Sequence, residues 1–202
     1  VKIVAFFIRH GETDLNKEDA FRGDLDVPLN EEGEKQAQDL VSMFSARSFS
    51  DAFQSDRLRV RQTLEPLMEA HDMVPKTLTN LESLNTGDLA GQPKDEKNLE
   101  MLKWYRDHPD EQIPGGETVR GFRDRVDPIL MMIIRVGQES GKPVVACVHG
   151  SIIKELGRLL YDDIGSLKVE PGGIVAVFST PKGYIAKPIF KDSEEAEPMP
   201  GS

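Results

Sequence analysis

Apolar runs and breakers alternate along the chain in a strand–helix order. Lys2 to Ile8 (KIVAFFI) is a short, nearly continuous apolar run and reads as a buried strand. A polar loop, Arg9 to Pro28, follows it. Asn30 is suited to cap a helix through about Arg47, on which Gln36, Ala37, Leu40, Val41 and Phe44 recur at helical spacing. Asp51–Gln54 reads as a short strand. Asp56 to about His71 reads as a helix with Leu58, Thr63, Leu64, Leu67 and Met68 facing inward, and Lys76–Leu81 as a third strand. Asn85–Gly116 is irregular around a short helix near Glu100–Arg106. A long amphipathic helix is predicted from about Thr118 to Glu139, with Pro128 as a place to bend. Pro143–Val148 is a strongly apolar strand, and Ser151–Leu160 a further helix. Ile174–Thr180 and Tyr184–Pro188 pair as a hairpin through Pro181, Lys182 and Gly183. Asp192–Ser202 is acidic and Pro-rich and is expected to be disordered.

This alternation predicts an α/β sandwich with a mainly parallel central sheet. In such sheets, function gathers in loops beyond the carboxyl ends of strands. Two segments qualify: Arg9-His10-Gly11 after the first strand, and His149-Gly150 after the PVVACV strand. A neutral imidazole can attack phosphorus if its other nitrogen keeps its proton. Arginine forks match phosphoryl oxygens, which makes Arg9 and Arg61 candidate partners. A structural loop histidine and a solvated helix face are the competing readings of His10 and Arg61 taken singly.

The 202 residues favour one domain, here 1–190, with 191–202 as an acidic tail. Hydrophobic residues make up 38% and charged residues 30%, as in a globular protein. No apolar run reaches the roughly 20 residues of a membrane helix. The stretch Val1–Ile8 lacks a basic leader, so a cytoplasmic protein is expected, with no membrane partner. One cysteine, Cys147, excludes an internal disulfide and reads as core. A net charge of −10 argues against nucleic acid but leaves room for a small phosphorylated molecule or a phosphoprotein held by a local arginine cluster. His71 and His108 have no metal-ligand spacing, and no metal site is expected. Ser151–Lys154 fits S-x-x-K by chance, and Ser151 is better read as a helix cap. Asp88 is taken as a turn residue. Trp104 and Tyr105, with Met101 and Leu102, either line a lid or pack a short helix.

Arg9–Asn16 (RHGETDLN) resembles the histidine phosphatase superfamily in its phosphoglycerate mutase-like branch. Phe21-Arg22-Gly23 with Asp26–Leu29 and Glu32…Ala37, Ser55–Arg57…Thr63, Leu81-Glu82…Gly87…Gly91, Pro114–Thr118 and Val148–Gly150 extend the resemblance through about residue 180. It implies a three-layer α/β/α sandwich and a phosphomonoesterase acting without cofactor or metal. By the same resemblance His10 is the nucleophile that forms a phosphohistidine. Arg9, Arg61 and His149 hold the phosphoryl group, with Asn16 and Gly150 beside it, and Glu82 is the general acid and base. Arg22, Gly23 and Glu117 are further substrate contacts, Glu117 being either a rival acid or a helix-start residue. Monomer and homodimer are both compatible with the sequence. Two alternatives stay open. One is a cofactor-dependent mutase, although the Glu-Arg-His-Tyr-Gly run of such enzymes is here Glu82-Ser83-Leu84-Asn85-Thr86-Gly87. The other is a non-catalytic phosphate-binding module on the same fold.

Overall fold

The structure, a computed structural model, describes residues 1–23 and 25–189. The proposed tail, 191–202, lies outside them. Six strands form one sheet in the order β3-β2-β4-β1-β5-β6. They are β1 (Lys2–Arg9), β2 (Ala52–Gln54), β3 (Lys76–Thr77), β4 (Val144–Val148), β5 (Ile174–Thr180) and β6 (Gly183–Ile189). β1 to β4 are mutually parallel, and β5 and β6 run antiparallel at one side. Six α-helices accompany them among the described residues: α1 (Asp14–Lys17), α2 (Glu31–Met43), α3 (Leu58–Ala70), α4 (Glu96–Asp107), α5 (Val119–Ser140) and α6 (Gly150–Tyr161).

The two-residue period of β1 distributes the helices between the faces of the sheet. Phe6 and Ile8 point to one face, where Leu40 and Phe44 from the α2 region and Val60, Leu64 and Leu67 of α3 cover them. Ala5 and Phe7 point to the other, where Val126, Leu130 and Ile133 of α5 and Ile152 and Leu156 of α6 close the second core. The expected three layers are therefore present, with a sheet that is mostly parallel.

Local chemistry sets the helix ends. Asn30 Oδ1 accepts from the Gly33 amide and starts α2, and Thr118 Oγ1 accepts from the Gly121 amide and starts α5. α4 is longer than the sequence suggested because Asp95 caps it, accepting from the Asn98 amide. Two expectations change. The predicted strand Lys76–Leu81 ends at Thr77, and a 3-10 turn over Thr79–Leu81 delivers the next residues toward the sheet edge. Ser151 is not the cap of α6: the helix starts at Gly150 behind His149, and Ser151 Oγ accepts from the Leu84 amide 3.2 Å away.

The long helix α5 lies very close to the sheet at Gly137, where an added Cβ would sit 1.8 Å from the Val4 carbonyl oxygen. Backbone on both sides leaves nowhere for a methyl group to go. Gly137→Ala is expected to destabilise the fold by about 1–3 kcal/mol or more, read as a lowered denaturant midpoint. An unchanged midpoint would mean that α5 and β1 can separate without cost.

Candidate active site

β1 and β4 are neighbours, with Arg9 in register with Val148. The residue that follows each strand is a histidine, so the sheet itself brings His10 and His149 together. The His10 amide donates to the Val148 carbonyl over 2.9 Å, and the two rings lie edge to face with centroids 5.5 Å apart. Both side chains are fully buried.

Hydrogen bonds fix the tautomer of each ring. His10 Nδ1 is 2.7 Å from the Gly11 carbonyl oxygen. A carbonyl only accepts, so Nδ1 carries the proton. Nε2 then keeps its lone pair, and it has no hydrogen-bond partner among the described residues. His149 is held the opposite way round. Its Nδ1 lies 3.4 Å from Arg59 Nη2, which can only donate, so its Nε2 carries the proton toward Ser55 Oγ at 2.7 Å.

Electrostatics keep both rings neutral. Burial, then the charge of Arg22, the repulsion that a second proton on the His149 ring would add, and the charge of Arg59 hold His10 well below the usual histidine range against the pull of the Gly11 carbonyl. Burial and the charges of Arg59, Arg22, Arg57 and Arg125 do the same to His149. The cations around the pair are themselves withdrawn from water. Arg22 is pushed down to about 9 by burial and by Arg59 and Arg9, and so stays charged at neutral pH. Arg9 Nη1 donates to the Val169 carbonyl at 2.7 Å, while Arg9 Nε and Arg22 Nε and Nη1 are buried without a hydrogen-bond partner among the described residues. Buried donors beside an open lone pair form a site for an anion with an electrophilic centre.

The loop around His10 is braced from α2 and α3. The Gly11 amide donates to Thr63 Oγ1 at 2.8 Å, and the Glu12 amide to Gln36 Oε1 at 2.9 Å. Gly33 permits this approach, since a Cβ there would meet the Glu12 carbonyl oxygen at 2.2 Å. α1, which the sequence did not suggest, is a single capped turn. Asn16 Oδ1 accepts from the Thr13 amide and hydroxyl, leaving its Nδ2 as the donor end in the cleft. The cleft encloses about 470 Å³, and Arg9, Asn16, Arg22, Gly23, His149 and Gly150 line it.

Three expected positions differ. Arg61 points outward and pairs with Asp56, both side chains about half exposed. The arginine that α3 turns inward is Arg59, two residues earlier; it is fully buried and donates to the Leu25 carbonyl as well as facing His149. Helix phase separates the two: Arg59, Val60, Thr63 and Leu64 share the buried face and Arg61 does not. The buried Thr63, four residues on, marks that face in the sequence. Glu82 is also turned away. Its carboxylate accepts from the Asp56 amide at 2.9 Å and from Arg57, and Ser83 rather than Glu82 lines the cleft. Glu117 braces the loop behind the cleft, accepting from the Asn85 amide and from Nε and Nη2 of Arg125. On α4, Leu99, Leu102 and Arg106 line the cleft, whereas Trp104 stacks on His108 outside it. Cys147 is fully buried in β4, where desolvation raises its thiol far above the usual range.

The histidine phosphatase superfamily (branch 1) matches residues 5–174, a span that holds both histidines and all the arginines of the cleft. The chain belongs to this superfamily. It is 29% identical to a 2,3-bisphosphoglycerate-dependent phosphoglycerate mutase 2 of Gloeobacter violaceus, over 81% of this chain and 80% of that protein. It is 36% identical to the fructose-2,6-bisphosphatase TIGAR of Mus musculus, over 58% of this chain and 46% of that protein. In three dimensions it resembles a phosphoglycerate mutase from Thermus thermophilus, with TM-score 0.69 and 30% identity, covering 92% of this chain and 98% of that one. The fold also matches a mycobacterial glucosyl-3-phosphoglycerate phosphatase, with TM-score 0.75 and 22% identity over 93% of this chain and 97% of that one. The superfamily thus places both phosphatases and mutases beside this chain.

The opposite orientations of Arg59 and Arg61 can be read in kinetics. Arg59→Lys should lower kcat/KM for a phosphate ester by about 100-fold or more, the size of effect seen when one charge-stabilising donor is lost. Arg61→Ala should lower it by less than about 3-fold, the scale of a surface ion pair. The reverse order would restore Arg61 to the site. A second prediction concerns stability. An unfolded histidine binds a proton near pH 6.5, roughly its unperturbed value, but His10 and His149 in the fold do not until well below that. As pH falls from about 7 to 5 the unfolded state gains protons that the folded state cannot take, so stability declines, by at most about 1.4 kcal/mol per pH unit for each ring. His149→Asn should flatten that slope in denaturant titrations. A slope unchanged by the substitution would mean that the ring is protonated in the fold.

Proposed function

We propose that this chain is a phosphatase that hydrolyses phosphate monoesters of small molecules through a phosphohistidine at His10. One observation carries the reading: among the described residues Nε2 of a neutral His10 keeps an unpartnered lone pair, while its neighbour in sequence Arg9 and the electrostatically coupled Arg22 carry buried donors that are likewise unpartnered. The phosphoryl oxygens occupy those donors, with Arg59, the Asn16 amide and the N-terminal end of α6 at Gly150 adding positive potential. Nε2 then forms a bond to phosphorus as the ester P–O bond breaks, and the bonding pair leaves with the alcohol oxygen. Charge on the equatorial oxygens rises at that moment and is met by fixed guanidinium groups. The Nδ1–H···O=C bond to Gly11 disperses the positive charge that the imidazole acquires. Water next attacks phosphorus as the P–N bond breaks and its pair returns to Nε2; the proton this water loses neutralises the hydroxide left where water protonated the leaving oxygen, and phosphate departs with His10 neutral again.

Glu82 acts in this reading by position. Its bonds to the Asp56 amide and to Arg57 hold the start of α3, the helix that presents Arg59. The proton needed by the leaving oxygen is then drawn from water in the cleft. Hydrolysis is preferred to mutase chemistry because the segment Ser83–Gly87 lacks the Arg-His-Tyr side chains of the mutase run and puts a serine on the cleft wall.

Phosphate release from aryl and alkyl phosphates, with a chelator present, should occur with the wild type and fall by more than about 10-fold in His10→Ala, about the least expected when a covalent route is removed. Isomerised product from 3-phosphoglycerate without free phosphate would replace the phosphatase with a mutase. Turnover retained in His10→Ala would remove the phosphohistidine. Glu82→Gln should slow aryl and alkyl esters by the same factor, whereas a loss confined to alkyl esters would make Glu82 the proton donor after all.

A further inference from the structure

The cations of the cleft fall into two groups. Arg22 and Arg59 act on both histidines, and Arg9 acts on Arg22. Lys154, Arg106, Lys94 and Lys168 form an outer group, and all four line the same cleft. Lys154 feels Arg106 first, then Arg9, Lys94 and Lys168, whereas His10 and His149 feel none of the outer four. Arg9 joins the two groups through Lys154, and Arg22 and Arg9 do so through Lys94. α6 explains the spacing. Gly150 lies against the Arg9 guanidinium, where a Cβ would be 3.3 Å from Nε. Lys154 is four residues further on the same face of the helix, about 6 Å along its axis.

These outer charges are poorly compensated. Among the described residues Lys154, Arg106 and Lys168 have no carboxylate within ion-pair distance, although Arg106 feels Glu155 from further off, and Lys94 meets Asp19 at 3.3 Å; Glu12, Asp19 and Glu170 are the carboxylates on the cleft wall, against six cations there. Glu155, the buried carboxylate next in sequence to Lys154, pairs with Arg158 and Arg123 and reaches Arg106 only at longer range. Burial and the four neighbouring cations push the Lys154 ammonium down to about 8. A chain with net charge −10 has thus assembled a second cationic patch inside one cleft, beyond what a single phosphoryl group can occupy.

We infer that Lys154 and Arg106, with Lys94 and Lys168 at the rim, form a second anion subsite, so that the substrate carries another carboxylate or phosphate about one helical turn from the transferred phosphoryl group. This rests on the phosphatase reading for its chemistry but not for its binding. An anion there neutralises cations that otherwise repel one another, and it orients the ester for attack. A neutral sugar or lipid alcohol gains nothing from the patch, and a substrate with two anionic groups gains at both ends.

The test compares phenyl phosphate with 3-carboxyphenyl phosphate, which share an aryl leaving group and differ by one carboxylate. The wild type should favour the carboxylated ester in kcat/KM by about 10-fold or more, expressed in KM. Lys154→Met and Arg106→Gln should each cut that preference by at least about 5-fold, and Lys154→Arg should keep most of it. No preference in the wild type, or a preference that survives both neutral substitutions, would overturn the subsite. Calorimetric binding of both esters to His10→Ala separates this from catalysis. Tighter binding of the carboxylated ester, lost with Lys154→Met, supports the subsite even if no ester is hydrolysed, and equal affinities refute it.

Discussion

A backbone carbonyl decides which nitrogen of His10 keeps a free lone pair, the atom proposed to react. The Gly11 oxygen holds the proton of His10 on Nδ1, so the lone pair is left on Nε2, which has no partner among the described residues. Burial makes the arrangement hold, because a ring withdrawn from water among Arg22, Arg59 and His149 resists a second proton. Under the proposed mechanism the nucleophile is therefore neutral without a carboxylate partner, and the surrounding positive charge both suppresses its protonation and is there to receive the phosphoryl oxygens. The rest of the fold serves this geometry. Parallel pairing of β1 with β4 sets the two histidines side by side, α3 delivers Arg59 and Thr63, and α2 approaches closely enough at Gly33 to brace the loop.

Where the sequence was informative, the physics was local. A buried strand followed at once by Arg-His-Gly, and a second followed by His-Gly, places both histidines at strand ends whatever the rest does. The layers were legible for the same reason, since two-residue and helical periods each encode which face is buried. The capped ends of α2 and α5 could be read from Asn30 and Thr118.

What the sequence left obscure depended on rotation or on long-range partners. Arg57, Arg59 and Arg61 are equivalent in composition, and only the phase of α3 decides that Arg59 turns inward. Glu82 and Ser83 are neighbours whose directions are set by a 3-10 turn and by Arg57, contacts separated by 25 residues. Ser151 looked like a cap, yet its hydroxyl serves the Leu84 amide on another loop. Lys154 gave no local signal, because its partners on α4 and in the loop before β5 meet it only in the fold.

The covalent route through His10 is tested most directly by rapid quenching of the enzyme during turnover of an aryl phosphate, followed by digestion in alkali, where a phosphohistidine survives, and peptide mass spectrometry. The expected product is a phosphoryl group on the His10 peptide, labile to mild acid and formed no more slowly than turnover. Steady turnover with no phosphorylated His10, or with the phosphoryl group on another residue, would mean that His10 is not the nucleophile.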